Sequence, residues 1–207
     1  MFSQALVILS SIALGACSVV GVRGSEEPPH RVIARLGEVE IREYAPRVVA
    51  ETQVEADENA ARSEGFRRLA GYIFGANRGE RRIAMTAPVA QEPSRIAMTA
   101  PVAQDAVAEG FRIRFFLPVG LTADTAPEPN DPRVRVTTLP AETFAVLRFT
   151  GSTDPAAVAR NASSLRAMLA GSRWVAAGEA TAWFYDPPWT LPPLRRNEVA
   201  IRVTPAA

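Results

Sequence analysis

The chain contains no lysine: all 23 of its basic residues are arginine. Schiff-base chemistry on a side-chain amine is thereby excluded. Cysteine occurs once, at Cys17, and histidine once, at His30. A single cysteine forms no disulfide within the chain, so the domain has to stand on its packed core. A lone histidine near the N-terminus leaves no material for a Ser–His or Cys–His nucleophile in the domain. No grouping of His, Cys, Asp and Glu has the spacing of a metal site, and there is no Gly-rich phosphate loop. No pair of carboxylates stands out for acid–base work. These absences argue against an enzyme and leave one residual catalytic reading, a small enzyme acting on a hydrophobic substrate. The 22 acidic residues nearly balance the basic ones, giving a net charge of +1. With neither a basic run nor an acidic tail, nothing suggests a nucleic-acid partner. What the chain does have is length and apolar content for one real core, with 207 residues of which 47% are hydrophobic.

A long apolar run is missing as well. The uncharged stretch from Phe2 to Ala16 is too short for a transmembrane helix. It ends in Leu14-Gly15-Ala16-Cys17, which resembles a bacterial lipoprotein lipobox. The resemblance implies a signal peptide over residues 1–16 and lipidation of Cys17. Ser18 in the next position implies outer-membrane sorting. No arginine precedes the apolar run, and the alternative is a plain secretory signal with Cys17 incidental. The expected location is the cell envelope, on the periplasmic face of the outer membrane, with the lipid anchor as the membrane contact. Residues 17–35, with Gly21, Gly24, Pro28 and Pro29, are expected to be a flexible tether, and residues 36–205 a single domain.

Ten residues occur twice: Arg82–Gln91 and Arg95–Gln104 both read RIAMTAPVAQ. Apolar side chains fall at every second position, Ile83, Met85, Ala87 and Val89, then Ile96, Met98, Ala100 and Val102, which is a strand period. Folding the copies back on each other about Glu92–Arg95 sets Met85 opposite Val102 and Val89 opposite Met98. That hairpin would present one apolar, Met-bearing face. Pro88 and Pro101 cannot donate to a ladder and mark an edge, a bulge or a strand end. Such a wall serves a pocket or an ordinary core.

A larger duplication has a different spacing. Strands are expected at Val39–Tyr44 and Arg47–Val54, followed by a helix from an Asp57 N-cap to Phe74, with Gly75 as its stop. Its apolar stripe is Phe66, Leu69, Ala70 and Ile73. A further strand covers Phe111–Leu117. The pattern then repeats with strands at Val134–Leu139 and Thr143–Phe149, and with a helix that opens at Asp154-Pro155 and stops at Gly171. Leu69 and Leu165 are 96 positions apart, as are Ile73 and Leu169. Last strands are expected at Glu179–Tyr185 and Glu198–Val203, around a Pro-stiffened loop. Trp183 and Tyr185 share a strand face and read as core. The fold class is α+β, with two helices carried on one curved antiparallel sheet or open barrel.

The segments VEIREYAPRVVAE at 39–51, the doubled IAMTAPV at 83–89 and 96–102, EPNDPRV at 128–134 and YDPPWTLPPLRRNEV at 185–199 resemble the SOUL heme-binding family. The likeness runs from Leu36 to Val203. It implies a distorted antiparallel β-barrel built from a duplicated βαββ unit, a fold also used by bacterial effector-binding domains. It implies binding of heme or another tetrapyrrole in an apolar cleft beside the first helix, for carriage or buffering. The alternative is an envelope interaction module, or a binder of another small hydrophobic ligand. The expected binding residues are Arg62, Phe66, Leu69, Tyr72, Ile73, Met85 and Met98. Arginine suits the propionates because it forks onto a carboxylate. Each of these residues also has a plain reading, as packing for the apolar ones and a solvated helix face for Arg62, Arg67 and Arg68. Met85, Met98 and Tyr72 are the available iron ligands in the domain, and a site without strong axial ligation fits the composition better. Trp189, Thr190 and Leu191 stand where the family pattern expects a basic residue in the last loop. Arg195-Arg196-Asn197-Glu198 reads either as a ligand mouth or as the donors that fix a Pro-rich loop.

Overall fold

A computed structural model describes residues 25–95, 109–187 and 189–206, with only the backbone for residues 94, 95 and 109. The expected signal peptide, Cys17 and the second RIAMTAPVAQ copy from Ile96 onward, including Met98, lie outside these residues.

The described elements are β1 (His30–Leu36), β2 (Val39–Tyr44), β3 (Arg47–Val54), α1 (Glu58–Ile73), β4 (Val89–Arg95), β5 (Glu109–Phe116), β6 (Val134–Leu139), β7 (Glu142–Phe149), α2 (Pro155–Leu169), β8 (Trp174–Phe184) and β9 (Asn197–Pro205). The strands form one nine-stranded sheet in the order β1-β2-β7-β9-β8-β4-β5-β3-β6, with every adjacent pair antiparallel. Apart from β1 the order is a palindrome about the β8–β4 junction, so the repeating unit is ββαββ. The register obeys the same twofold. Val39 on β2 faces Leu147 on β7, while its counterpart Val134 on β6 faces Thr52 on β3, the counterpart of Leu147.

Local chemistry sets the helices. Asp57 caps α1 by accepting from the amides of Asn59 (3.0 Å) and Ala60 (2.9 Å). Asp154 does the same for α2 through Ala157 (2.7 Å), and Pro155 occupies the first turn, where its missing N–H costs nothing. Past the end of α1, Gly75 takes φ of 121°, which a side chain would resist. Asn77 then closes the turn. Its amide donates to the carbonyls of Tyr72 (2.8 Å) and Arg81 (2.7 Å), and its oxygen accepts from the Arg81 amide (3.0 Å).

Following the register across the sheet, Ile41, Ala145, Ile201, Ala182, Gln91, Ile113, Thr52 and Val134 all share one face. Both helices pack on that face. α2 covers a core of Val39, Ile41, Leu147, Leu165, Leu169, Val199 and Ile201, and α1 covers one of Ala50, Leu69, Tyr72, Ile73, Ile113 and Phe115. The helix-free face has its own cluster, in which Tyr44, Phe144 and Val146 meet Val49 and Phe116 from the other half of the sheet. Strands that far apart in the sheet order touch only if the sheet curls with its helix-free face inward. The curl does not close: β1 and β6 remain separate edges, so the expected barrel is an open, strongly curved sheet.

Two further expectations are corrected. Residues 30–35, placed in the tether from composition, belong to β1, whose backbone pairs with β2 from His30↔Tyr44 to Leu36↔Val39 across a two-residue turn at Gly37-Glu38. The repeat does not form a hairpin about Glu92–Arg95. Those four residues continue β4, paired with Arg112 to Glu109 of β5, and residues 82–85 of the first copy are not strand. Its alternating apolar residues instead tuck individually: Ile83 and Ala87 are buried, while Met85 is 37% exposed.

Candidate functional site

Five of the expected residues lie on α1, and the structure divides them. Leu69, Tyr72 and Ile73 point into the sheet and are buried core. The Tyr72 hydroxyl is already committed as a donor to the Pro127 carbonyl at 2.8 Å, and burial raises its pKa, so it stays a phenol. These three form the floor under the helix and cannot face a ligand. Met85 is exposed in the segment after α1. Arg62 and Phe66 are the pair that α1 presents together, one turn apart. Phe66 leaves 41% of its surface exposed and meets Phe115 edge-on, with centroids 5.2 Å apart.

Arg62 is held rather than solvated. Its guanidinium lies 4.6 Å from the centre of the Phe184 ring and donates to the Thr153 carbonyl at 3.0 Å. Burial lowers its pKa, the Glu58 charge opposes that, and Arg195 adds to it. Arg62 holds Thr153, and Gly151 of the same turn bonds to Pro192, so this turn links α1 to the Pro-rich loop 186–196. That loop is fastened from within and to its neighbour. Arg195 donates to the Thr190 carbonyl at 2.8 Å, and the Gly151 amide donates to the Pro192 carbonyl at 2.9 Å. The loop also exposes Trp189, Leu191 and Leu194, the first by 64%. Isolated apolar residues on a surface are ordinary, whereas several on one anchored loop next to an exposed aromatic are not. Arg195 is the basic residue of this loop beside α1. Sequence reasoning looked for a basic residue at 189–191 and read Arg195 separately, as part of a ligand mouth or as a donor that fixes the loop.

The inner face of the curl was not anticipated as a site. Glu198, fully buried on β9, accepts from Arg42 (2.8 and 3.2 Å), from Arg196 (2.9 and 3.1 Å) and from the Tyr185 hydroxyl (2.7 Å). Burial pushes the Glu198 carboxyl up, but Arg42, Arg196 and Tyr185 outweigh it and hold the pKa below the usual value. Burial and the Glu198 charge raise Tyr185 well above an ordinary phenol. The signal in the sequence was a lone acid at an alternate position of the strand NEVAIRV, within the motif read as loop-fixing. Trp183 belongs to the inner-face core and Tyr185 packs against it. Among the described residues no group of His, Cys, Asp and Glu could hold a metal ion.

The SOUL heme-binding protein family model matches residues 25–202. The chain belongs to the SOUL heme-binding protein family. The match takes in both faces just described, from the strand pair β1–β2 to β9. No curated protein matches the chain in sequence. Among solved structures, the C-terminal domain of EcmrR is similar over 81% of this chain and 98% of its own, with TM-score 0.58 and 10% identity. An uncharacterized conserved protein from Listeria innocua gives TM-score 0.56 at 9% identity, over 81% of this chain and 92% of its own. A hydrolase from the same organism gives 0.54 at 9%, over 83% and 94%. At these identities the likeness is one of fold. The SOUL family is a binding family. Of the residues expected to bind, the fold brings Arg62 and Phe66 together at the surface and sets Leu69, Tyr72 and Ile73 in the core.

Proposed function

We propose that this SOUL domain binds a tetrapyrrole, heme in the first instance, on the surface shared by α1 and the loop 186–196, for carriage or buffering. The observation that carries the reading is Phe66: an aromatic ring left open on a helix, one turn from an arginine fixed on an aromatic face, beside an anchored apolar loop. The residues fit such a ligand in kind. Arg62 and Arg195 supply cations for propionate carboxylates, and Phe66, Trp189 and Leu191 supply apolar area. No side chain exposed on α1 suits iron as an axial ligand, so affinity rests on the macrocycle. Heme, when bound, brings the iron's own redox and gas-binding chemistry; the chain holds and shields it.

The test is a titration with hemin and, separately, with iron-free protoporphyrin IX, followed by the Soret band. The two bind with affinities within about threefold, since no protein–iron bond is counted. Phe66→Arg, which puts a charge where apolar area is needed, weakens both by about tenfold or more. Tight hemin binding with no porphyrin binding would sink the reading, because iron ligation would then dominate. No saturable binding of either would favour the alternative, an interaction module using exposed Trp189, Leu191 and Leu194.

For location, the proposal is an envelope protein anchored through lipid on Cys17, supported by the sequence LGAC alone. Cys17→Ser is expected to move the protein from the membrane pellet to the soluble fraction, and unchanged pelleting would refute the anchor.

A further inference from the structure

The helix-free side of the curled sheet holds a second cleft, and the chain itself lies across its mouth. Arg47 enters this cleft from β3 and is only 8% exposed. One guanidinium nitrogen pairs with Glu142 at 2.7 Å, but Nε is buried with no hydrogen-bond partner. Folded proteins rarely leave such a donor unmatched. Its guanidinium carbon lies 4.3 Å from the centre of the Tyr44 ring, 5.2 Å from Phe116 and 5.7 Å from Phe144. The arrangement is a cation in an aromatic box with one N–H still to give.

Residues 26–30 form a strap over this box. The Glu26 carbonyl accepts from the Ala87 amide (2.9 Å), and its carboxylate from the Val119 amide (2.9 Å). Glu27 pairs with Arg196 at 2.8 Å. The His30 ring sits 5.2 Å from Tyr44, and Pro28 borders the same lining as Trp183 and Tyr185. With the strap seated, the remaining space beside Arg47 is about 10 Å³, room for about one water. On the other side of the strap a depression of about 460 Å³ is lined by Arg42, Arg148 and Arg196 and, besides Glu27 of the strap, by Glu38, Glu40 and Glu198. Glu27 and His30 border both spaces. Lifting the strap would join them into one cleft of the size small-molecule sites have, about 300–1,000 Å³.

We propose that this cleft is a second ligand site, for a carboxylate carried on a compact apolar or aromatic body, and that residues 26–30 are its built-in competitor. The strap shows the chemistry in miniature: the Glu27 carboxylate on an arginine and the Pro28 ring in the aromatic lining. A ligand that replaces it regains the arginine contact and gives Arg47 Nε the acceptor it lacks. Cations are not matched by this box, because its acids are already held, Glu142 by Arg47 and Glu198 by Arg42 and Arg196. The site lies on the face opposite Phe66, so it stands or falls apart from tetrapyrrole binding.

The probe is 2-naphthoate, titrated by calorimetry into the protein, with 2-naphthylmethanol as its uncharged counterpart. Naphthoate binds one-to-one and about tenfold tighter than the alcohol. Glu27→Gln keeps the strap's shape but removes its charge, and tightens naphthoate binding by about threefold. Arg47→Lys weakens it, and Phe66→Arg leaves it unchanged. Equal binding of acid and alcohol, no saturable binding of either, or an affinity that Glu27→Gln fails to raise would each overturn the proposal. Loss of naphthoate binding in Phe66→Arg would place both ligands on one site and also overturn it.

Discussion

Glu198→Ala lowers the unfolding free energy by about 3–5 kcal/mol, read as a shift of the urea midpoint at unchanged slope. The carboxylate is fully buried and matches two guanidiniums, Arg42 and Arg196, of which Arg42 is itself only 5% exposed. Removing it leaves the buried Arg42 guanidinium with Glu40 as its remaining acid, at 2.8 Å, and the Tyr185 hydroxyl without its acceptor. The same group gives a pH signature. Its folded-state pKa lies below the ordinary value, despite burial, because of the two arginines and the tyrosine. A depressed carboxyl contributes fully above its unfolded pKa, about 4.3, and that contribution is lost as pH falls through the folded value. The protein therefore loses stability on acidification below about pH 4.5, and Glu198→Gln flattens that limb of the curve. A variant within about 0.5 kcal/mol of the parent at neutral pH would show that the network makes no net contribution.

Gly65→Val is the second large effect. Gly65 lies in α1 where the helix crosses β5, and a Cβ built there would sit 2.3 Å from Ile113 Cγ1 and 2.7 Å from Ile113 Cβ. Ile113 is fully buried and β-branched, so it cannot swing away. The helix itself must lift. Even Gly65→Ala, which helix propensity favours by about 1 kcal/mol, is expected to cost about 1–3 kcal/mol net. Valine is expected to cost more than about 3 kcal/mol. Because Arg62 and Phe66 ride on the lifted turn, the alanine variant also weakens porphyrin binding while staying folded. An alanine variant as stable as the parent, or more so, would mean that the close approach is relieved at no cost.

Much of this was legible beforehand, for identifiable reasons. Asp57, Gly75, Asp154-Pro155 and Gly171 are local punctuation whose meaning does not depend on distant contacts, and the helices run between them. The duplication was legible because both halves keep one apolar period. The repeat misled because two identical segments suggest a symmetric pair, whereas β4 finds its partners in β5 and β8, chosen by the larger twofold. β1 was hidden by the prolines and glycines just before it. The inner face was hidden for a deeper reason. Its importance comes from curling the sheet until Tyr44 and Arg47, three residues apart in the chain, join Phe116, Phe144 and Trp183, and no local pattern records a curl. Leu69 and Ile73 were seen on one stripe with Phe66, but a stripe does not say where the core ends.

The twofold of the sheet has a consequence for how the halves divide labour. The residues of α2 that stand 96 positions after Arg62, Gly65 and Phe66 are Val158, Asn161 and Ala162. Val158 packs on the core, and Asn161 folds its amide back onto the Ala157 carbonyl at 2.8 Å. At these positions α2 therefore has neither an aromatic ring nor a cation, and it carries a side chain where α1 has Gly65 against Ile113. Two units of one plan let the molecule vary one helix while its twin keeps the sheet in place.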